Sequence, residues 1–421
     1  MASDKQNMRG SGTTAAQIAR FGVRRARTAT AAGASGRMSL AETNKLLAAE
    51  RGVLRRKVLL SLTVLAVLSF VSLGIMGAQG QYYAYVTGYE VLSPVQVANA
   101  LWCNLYDVLA RATHLFPEHS ANWINENAHG YYAVIERAGV IGITLICAVL
   151  LSISGALYQA VFRNPIAGPG MLGVGSGVSL GMMVLVYVYN AQASGMLVER
   201  YALCYLLGGA ILLFVILLGR KLSGPGRPFD IVTMLLVGSI LSQLLGFVVS
   251  YVTLYVMDPN DYNMFYELSQ MLTVDATPIS WVFLIAATVL SLAPVWRARF
   301  KLNALSFDEQ EVRLMGIDPS RLRALALVCG AIMILAAQIH IGAVAMVSLI
   351  VPFLSRSWFG VEFRKQLAGN ICIGTILLLV CRDIVDLIPF VGNGIAIGSA
   401  VAVLALPLFL FIVSKNLRGW E

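Results

Sequence analysis

The sequence has few charged residues: only 13% of its 421 positions are Asp, Glu, Lys or Arg. Soluble globular chains carry about a quarter charged residues, whereas 58% of this chain is hydrophobic. Long apolar runs recur between Val58 and Val413, and runs of about 18 residues or more are typical of transmembrane helices. These features exclude a soluble enzyme, a secreted disulfide scaffold and a disordered protein. They predict an all-α, polytopic integral membrane protein.

Several catalytic and metal-binding motifs are also missing. The six cysteines form no CxxC pair, and no HExxH occurs, so no catalytic or metal-ligating residues are predicted. His114, His119 and His129 share one loop and could bind metal or haem, but ordinary solvated histidines fit better because nothing fixes their geometry. The chain lacks any Gly-Lys pair and therefore any ATP-cradling GxxxxGKS or GxxxxGKT motif. ATP, if used, must be hydrolysed by a partner chain, and no cofactor is expected on this one.

The distribution of positive charge argues against a nucleic-acid partner. The formal net charge is +9, but 12 of the 31 Lys and Arg residues lie in a hydrophilic tail, residues 1–57. Most of the others lie in short segments between apolar runs, and no folded basic surface with aromatic stacking positions is visible. Positive residues beside spans mark the cytoplasmic side of a membrane. The predicted partner of this charge is the lipid bilayer, and no nucleic acid is expected.

Residues 58–415 are predicted to form a transmembrane domain of ten helices. The spans are 58–78, 138–160, 171–189, 201–219, 232–256, 280–296, 321–340, 343–356, 367–387 and 395–413. With the N-terminus inside, the cytoplasmic segments hold 27 Lys and Arg residues, while the outer segments hold four. This bias predicts a multi-pass protein of the cytoplasmic membrane with both termini in the cytoplasm.

Two hydrophilic segments between the spans are distinctive. Residues 79–137 form an extended extracytoplasmic loop rich in Tyr and Trp, which suits either a docking surface or an anchor at the membrane edge. Residues 297–323 form a cytoplasmic segment in which Ser306 can cap a short helix and Gly316 can end it. Asp318 then precedes a proline and starts the next helix. Such a segment can act as a lever for a partner, although a structured loop fits the same pattern.

Four blocks of sequence occur in a fixed order. SGALYQ at 154–159 runs into RNPIAGPGMLGV at 163–174, LNALS at 302–306 leads to LMGI at 314–317, SLIVP occupies 348–352, and PLFL occupies 407–410. They resemble SGxxxQ with xNPLAxPxxLGV, LNxLSLGEExAxxLG, GLxVPH and PxFxxLL of the FecCD-type permeases. These are the membrane subunits of type II ABC importers for iron-siderophores, haem and cobalamin. The resemblance covers residues 58–415 and implies the ten-helix fold of those permeases.

The resemblance implies a transport subunit and its partners. A cytoplasmic ABC ATPase would supply the energy, an extracytoplasmic substrate-binding protein would deliver the ligand, and a second permease copy, identical or related, would complete the pathway. The ATPase would dock on residues 297–323, which would then be a coupling segment. The residues expected to couple to the ATPase are Leu305, Ser306, Asp308, Glu309, Val312, Arg313 and Gly316. Changes of charge or bulk in this segment should uncouple ATP hydrolysis from uptake.

The outer residues depart from the family pattern. Arg137 matches the first arginine of the family's Arg-x-Pro-Arg motif, which docks the binding protein, but Gly139 and Val140 replace the Pro and the second Arg. Arg137 therefore has two possible roles: docking of the binding protein, or anchoring at the membrane interface. Leu387 stands where the family often has another arginine. Docking through the aromatic loop 79–137 is an alternative.

The pathway is assigned to polar and small residues, with helix packing as the alternative role. The residues predicted to line the pathway or to pack helices together are Gln159, Asn164, Gly170, Gly173 and Gly177. Ser242 and Gln243 are further polar groups within a span, where contact with lipid is costly, so they are expected to face protein or a cavity.

The expected function is import of an iron-siderophore or haem complex. Cobalamin or another metal chelate fits the same family, because no residue identifies the ligand. A secondary transporter driven by an ion gradient would need ionisable residues at mid-membrane, and the spans contain almost none, since Asp383 lies near a helix end. A membrane-embedded enzyme would need a constellation of His, Asp or Ser within the spans, and none is visible.

Overall fold

The computed structural model describes residues 40–75, 93–113, 128–165, 167–189, 197–223, 231–261, 265, 276–307, 309–342, 344–387, 398, 400–404 and 407. The chain divides into two units, residues 1–55 and residues 56–421. Residues 40–55 of the first unit are described, and they are helical. Within the described ranges the regular structure is helical throughout, with no strand.

The bounds of the helices follow the apolar runs. The α-helices are α1 (Leu40–Gly74), α2 (Pro94–Thr113), α3 (Ala128–Phe162), α4 (Val174–Tyr189), α5 (Leu197–Leu222), α6 (Ile231–Tyr255), α7 (Pro278–Ala298), α8 (Glu309–Leu314), α9 (Pro319–Ile341), α10 (Ala345–Phe359) and α11 (Phe363–Leu387). Two 3-10 helices, Pro169–Leu172 and Lys301–Ser306, precede α4 and α8.

Nine of the ten predicted spans coincide with apolar helices in the described part of the chain. Seven of these are long and apolar enough to cross a membrane, within α1, α3, α5, α6, α7, α9 and α11. The other two, Val174–Tyr187 and Met346–Phe359, are shorter, and the second corresponds to the span predicted to be short. The tenth predicted span, 395–413, lies mostly outside the described residues.

Helices α3 and α9 form the centre of the bundle. In each, 78% of the most apolar stretch is buried within the chain, against 11% in α6. α3 packs against α9, α10, α11 and α2. A helix with little protein around it in a membrane chain must meet lipid or another subunit, so α6 is peripheral in the single chain.

Small residues let the central helices approach closely. A Cβ built on Gly155 of α3 would lie 1.6 Å from the carbonyl oxygen of Ser348 in α10, so only glycine fits this crossing. Between α3 and α9, Ser154 Oγ donates a hydrogen bond to the Gly330 carbonyl at 2.6 Å. Tyr158 donates from its hydroxyl to the Leu327 carbonyl at 3.2 Å. Side-chain to backbone bonds of this kind satisfy polar groups away from water.

The sequence did not predict α2, which lies inside the outer loop 79–137. One face of α2 packs through Val97 and Ala100 against Val134 of α3 and Leu73 of α1. α3 itself begins at Ala128, ten residues before the predicted start of the second span at 138. The segment between the first two spans therefore contains helix that packs on the bundle.

Candidate functional site

Residues 301–316 are the part of the predicted coupling segment 297–323 that lies between α7 and α9, and we use the name coupling segment for them from here on. This segment has one buried edge and one exposed edge. Four apolar side chains anchor it and are at most 4% exposed: Leu302, Ala304, Leu305 and Val312. Phe307 is 47% exposed, Leu314 88% and Met315 52%. Apolar groups that are so exposed on an otherwise anchored element form a surface suited to a partner protein.

The turn between α8 and α9 has the predicted form. Gly316 adopts a φ of +74°, a conformation that favours glycine, and its N–H donates to the Arg313 carbonyl at 2.9 Å. Asp318 caps α9, accepting hydrogen bonds from the backbone N–H groups of Ser320 at 2.9 Å and Arg321 at 3.3 Å. Local capping chemistry thus determines where one helix ends and the next begins.

The proposed capping role of Ser306 is wrong. Ser306 is the last residue of the 3-10 helix Lys301–Ser306, and α8 begins at Glu309. The position before the first helical residue belongs to Asp308, which is outside the described residues. The run LNALS therefore forms its own short helix, because three of its apolar side chains are buried.

Three polar contacts tie the coupling segment to the bundle. At the end of α3, Arg163 donates to the carbonyls of Leu305, at 3.0 Å, and Phe307. Asn303 Oδ1 accepts from the backbone N–H of Phe363, the first residue of α11, at 2.7 Å.

The third contact is an ion pair between Glu309 of α8 and Arg323 of α9. The segment is therefore joined to α3, α9 and α11.

Arg163 has a φ of +48°, which non-glycine residues seldom adopt. The ordinary capping and hydropathy signals did not identify Arg163 or Asn303.

The predicted pathway residues occupy several different environments. Gln159 is 2% exposed, and it donates to the Leu349 carbonyl at 3.0 Å while it accepts from Arg356. Asn164 is exposed beside a cavity. Gly170 is half-buried, and its carbonyl accepts from the N–H of Gly173 at 3.4 Å.

The two remaining glycines lie at helix contacts. A Cβ on Gly173 would come within 3.0 Å of Ser242 Oγ on α6, and one on Gly177 within 2.7 Å of the Gly208 Cα on α5. These short distances favour a packing role for Gly173 and Gly177. The hydrogen bonds of Gln159 to the Leu349 carbonyl and to Arg356 give it a structural role inside the chain. Direct contact with a substrate stays a prediction.

Arg137 lies in a buried ionic cluster, which we define as Arg137, Arg382, Asp383, Asp386 and Ser72. Arg137 is 8% exposed and pairs with Asp383 at 3.0 Å and with Asp386. Arg382 pairs with Asp386 at 3.0 Å, and Ser72 Oγ donates to Asp383 at 2.6 Å. The cluster joins α1, α3 and α11.

This geometry does not support docking of a binding protein through Arg137, because the guanidinium is used inside the chain. The sequence analysis did not identify Arg382 and Asp386 as members of an ionic cluster. Their spacing of four residues on one helix could have indicated that they form an ion pair. The described residues contain no group of three or more His, Cys, Asp or Glu that could hold a metal ion.

An exposed stripe runs along α6. It consists mainly of large apolar side chains, with Gln243 among them: Leu236, Ile240, Leu244, Phe247, Tyr251, Leu254 and Tyr255. The rings of Phe247, Tyr251 and Tyr255 follow one another, with centroids 6.2 and 5.3 Å apart. Ser242 is half-buried and donates to the Gly238 carbonyl at 2.7 Å. The expectation that Gln243 faces protein is not met within the single chain.

The chain is similar to known transport proteins over most of its length. The model of the FecCD transport family matches residues 107–415. The iron-uptake system permease protein FeuC of Bacillus subtilis is 29% identical over 64% of this chain and 80% of its own length. The vitamin B12 import system permease protein BtuC of Salmonella paratyphi A is 25% identical over 70% of this chain and 87% of its own.

A solved structure shows the same fold. It is an inward-facing conformation of a metal-chelate type ABC transporter, with a TM-score of 0.62 at 22% identity, covering 86% of this chain and 99% of that one. The apolar helices, the ordered blocks and the family match agree with one another. The chain belongs to the FecCD transport family and is a multi-pass permease subunit of an ABC transporter, a transport component rather than an enzyme.

Proposed function

We propose that this chain moves an iron-siderophore or haem complex inward across the cytoplasmic membrane, driven by a separate ABC ATPase that binds and hydrolyses ATP. The observation that carries the proposal is the coupling segment. Its exposed edge, Phe307, Leu314 and Met315, offers an apolar surface, and its opposite edge is buried in the bundle. A short element with these two properties suits transmission of force from a docked partner.

The contacts of the coupling segment suggest a route for that force. A push on α8 would reach α9 through Glu309 and Arg323, α3 through Arg163, and α11 through Asn303. Since α3 and α9 are the central helices, a shift of the segment would move the centre of the bundle rather than one peripheral helix. Packed interfaces of this kind tend to have discrete arrangements, which suits alternation between outward-open and inward-open states.

The exposed stripe of α6 supports the proposal of a second permease copy. An exposed glutamine within a membrane helix is costly in lipid, and Gln243 is one. A second copy, identical or related, that packs near this stripe would cover Gln243 and place the Phe247, Tyr251 and Tyr255 rings beside a shared pathway. Aromatic faces are suitable surfaces for large chelates with apolar and polar parts.

The proposed orientation places both termini and the coupling segment in the cytoplasm, where the ATPase would be. It rests on the bias of Lys and Arg toward one set of loops. A substrate-binding protein would dock on the outer side. Because Arg137 is buried, we propose that this partner contacts the outer segment that contains α2, where Trp102 is 68% exposed and Leu105 52%.

The ligand class rests on the relatives. FeuC is named for iron uptake and BtuC for vitamin B12 import, so cobalamin or another metal chelate is the alternative cargo. An ion-driven secondary transporter receives less support, because the buried Asp383 and Asp386 are paired with arginines. Paired carboxylates of this kind serve as structural contacts more readily than as a cation-binding site.

Uptake measurements test the ligand and the energy source together. Cells that lack this chain, and cells in which it is restored, would be given labelled ferric siderophore, haem and cobalamin in turn. We expect restored uptake of a ferric siderophore or haem, and loss of that uptake when the partner ATPase is inactivated. Uptake of cobalamin alone would replace the iron assignment, and uptake that survives ATPase inactivation would contradict the ABC mechanism.

A further inference from the structure

A cavity of about 540 Å³ opens at the end of the bundle that carries the coupling segment. It lies between the end of α3, the 3-10 helix Lys301–Ser306, α10 and the start of α11. Its polar lining includes two arginines, two asparagines and two serines: Arg163, Arg356, Asn164, Asn303, Ser306 and Ser357. None of the described lining residues is Asp or Glu, so the lining has a positive formal charge.

Arg356 of α10 has a neutral partner within the described residues. Its guanidinium donates to Gln159 Oε1, and Gln159 is itself held by the Leu349 carbonyl at 3.0 Å. No carboxylate in the described ranges forms an ion pair with Arg356. At the opposite end of the bundle, by contrast, Arg137 and Arg382 both have carboxylate partners. Burial of a guanidinium is costly unless its charge is compensated, so a negatively charged occupant of the cavity would suit Arg356.

We propose that this cavity binds a phosphate oxyanion, supplied either by the headgroup of an anionic phospholipid or by free phosphate. The planar guanidinium of Arg356 matches phosphate oxygens bidentately. Side-chain amide and hydroxyl donors from Asn303, Ser306 and Ser357 line the same space. Basic pockets between transmembrane helices are a known kind of phosphate and lipid-headgroup site. The proposal does not depend on the transport function.

The cavity is physically joined to the coupling segment. Arg163, in its lining, donates to the carbonyls of Leu305 and Phe307, and Asn303 accepts from the backbone of Phe363. An oxyanion in the cavity would therefore contact the two side chains that tie the coupling segment to α3 and α11. Its binding would stabilise that end of the bundle.

The test uses the purified full chain in a zwitterionic detergent without added lipid. Inorganic phosphate and dihexanoyl phosphatidylglycerol are titrated separately, and the thermal unfolding midpoint is followed by tryptophan fluorescence, with dihexanoyl phosphatidylcholine as the lipid control. We expect a saturable rise of the midpoint with at least one of the two phosphate sources. Arg356→Gln should weaken the apparent affinity about tenfold to a hundredfold, since it removes a charged donor.

A matched control separates a specific site from general attraction. Arg364→Gln removes an exposed arginine at the same end of the bundle, one that does not line the cavity, and it should leave the affinity unchanged. Arg356→Lys keeps the charge and should retain part of the binding. Should Arg356→Gln fail to fold, Ser357→Leu takes its place. Its larger side chain would fill part of the cavity and should weaken or remove the saturable rise.

The outcomes distinguish the sources. A rise with phosphatidylglycerol alone assigns the site to a lipid headgroup, and a comparable rise with inorganic phosphate assigns it to free phosphate. The proposal is overturned if neither probe gives a saturable rise, or if Arg356→Gln and Arg364→Gln behave alike. It is also overturned if the midpoint rises only with the partner ATPase, because the cavity would then serve a protein contact.

Discussion

Replacing Arg137 with methionine removes one of the two arginines from the buried ionic cluster. The cluster holds two arginines and two aspartates and is formally neutral, whereas the variant would leave one arginine with two aspartates. An unbalanced negative charge would then be buried where α1, α3 and α11 meet. The expected result is a loss of stability, whether or not any partner protein is present.

The magnitude follows from the remaining contacts. Removing one partner of a buried ion pair destabilises a protein by roughly 3–5 kcal/mol. Ser72 would still donate to Asp383 at 2.6 Å, and Arg382 to Asp386 at 3.0 Å, so we expect the lower end, about 3 kcal/mol. With an unfolding entropy of about 2.1 cal/mol/K per residue over residues 56–421, the midpoint should fall by ~4 °C.

The assay compares this variant with one in which neutrality is restored. Thermal unfolding of the purified chain would be followed for the wild type, Arg137→Met, and Arg137→Met combined with Asp383→Asn. The double variant keeps one arginine and one aspartate in the cluster, so most of the lost stability should return. Ligand uptake would be measured in cells for the same three proteins and should follow stability.

Two results would refute this reasoning. The double variant could be as unstable as Arg137→Met, which would mean that charge balance does not govern the cluster. Alternatively, stability could return while uptake and binding-protein affinity stay lost. Arg137 would then act on a partner, as the family's docking arginine does, and its buried position would not represent the docking state.

Three further predictions follow from packing and exposure. Gly155→Ala should sharply lower the yield of folded protein, because its Cβ would lie 1.6 Å from a carbonyl oxygen, whereas Gly246→Ala, with nothing within 4 Å, should not. Leu314→Ser should weaken co-purification of the ATPase without changing the unfolding midpoint, and Val361→Ser, 84% exposed at the same end, should leave co-purification intact; equal effects would contradict the docking surface. Tyr251→Cys should form a cross-link between identical copies in membranes, and only monomer after oxidation would contradict a homodimer that packs near α6.

The fold was largely predictable because its main signal is local. A stretch of about 20 apolar residues must be helical in lipid, since every backbone polar group needs a partner. The end of α8 before Gly316 and the start of α9 after its cap Asp318 were predicted for the same reason, because capping depends on adjacent residues. The family blocks added the prediction that this segment couples to an ATPase.

The parts that could not be predicted depend on long-range contacts. Arg137 and Asp386 are separated by 249 positions, and no spacing rule connects them. Hydropathy likewise does not reveal that α3 is central and α6 peripheral, since each contains an apolar stretch long enough to cross a membrane. α2 was missed because polar residues such as Asn104 and Asp107 interrupt its apolar ones, so it has no long apolar run. Its packing against α1 and α3 depends on tertiary contacts that the sequence pattern does not show.

Proteoliposomes that contain this chain, with and without the partner ATPase, test the account most directly. The labelled ligand and its binding protein would be supplied on the outer side, and ATP would be supplied on the side of the coupling segment. The account predicts accumulation only when the ATPase and ATP are both present, with no response to an imposed proton or sodium gradient. Accumulation driven by such a gradient in the absence of the ATPase would contradict it.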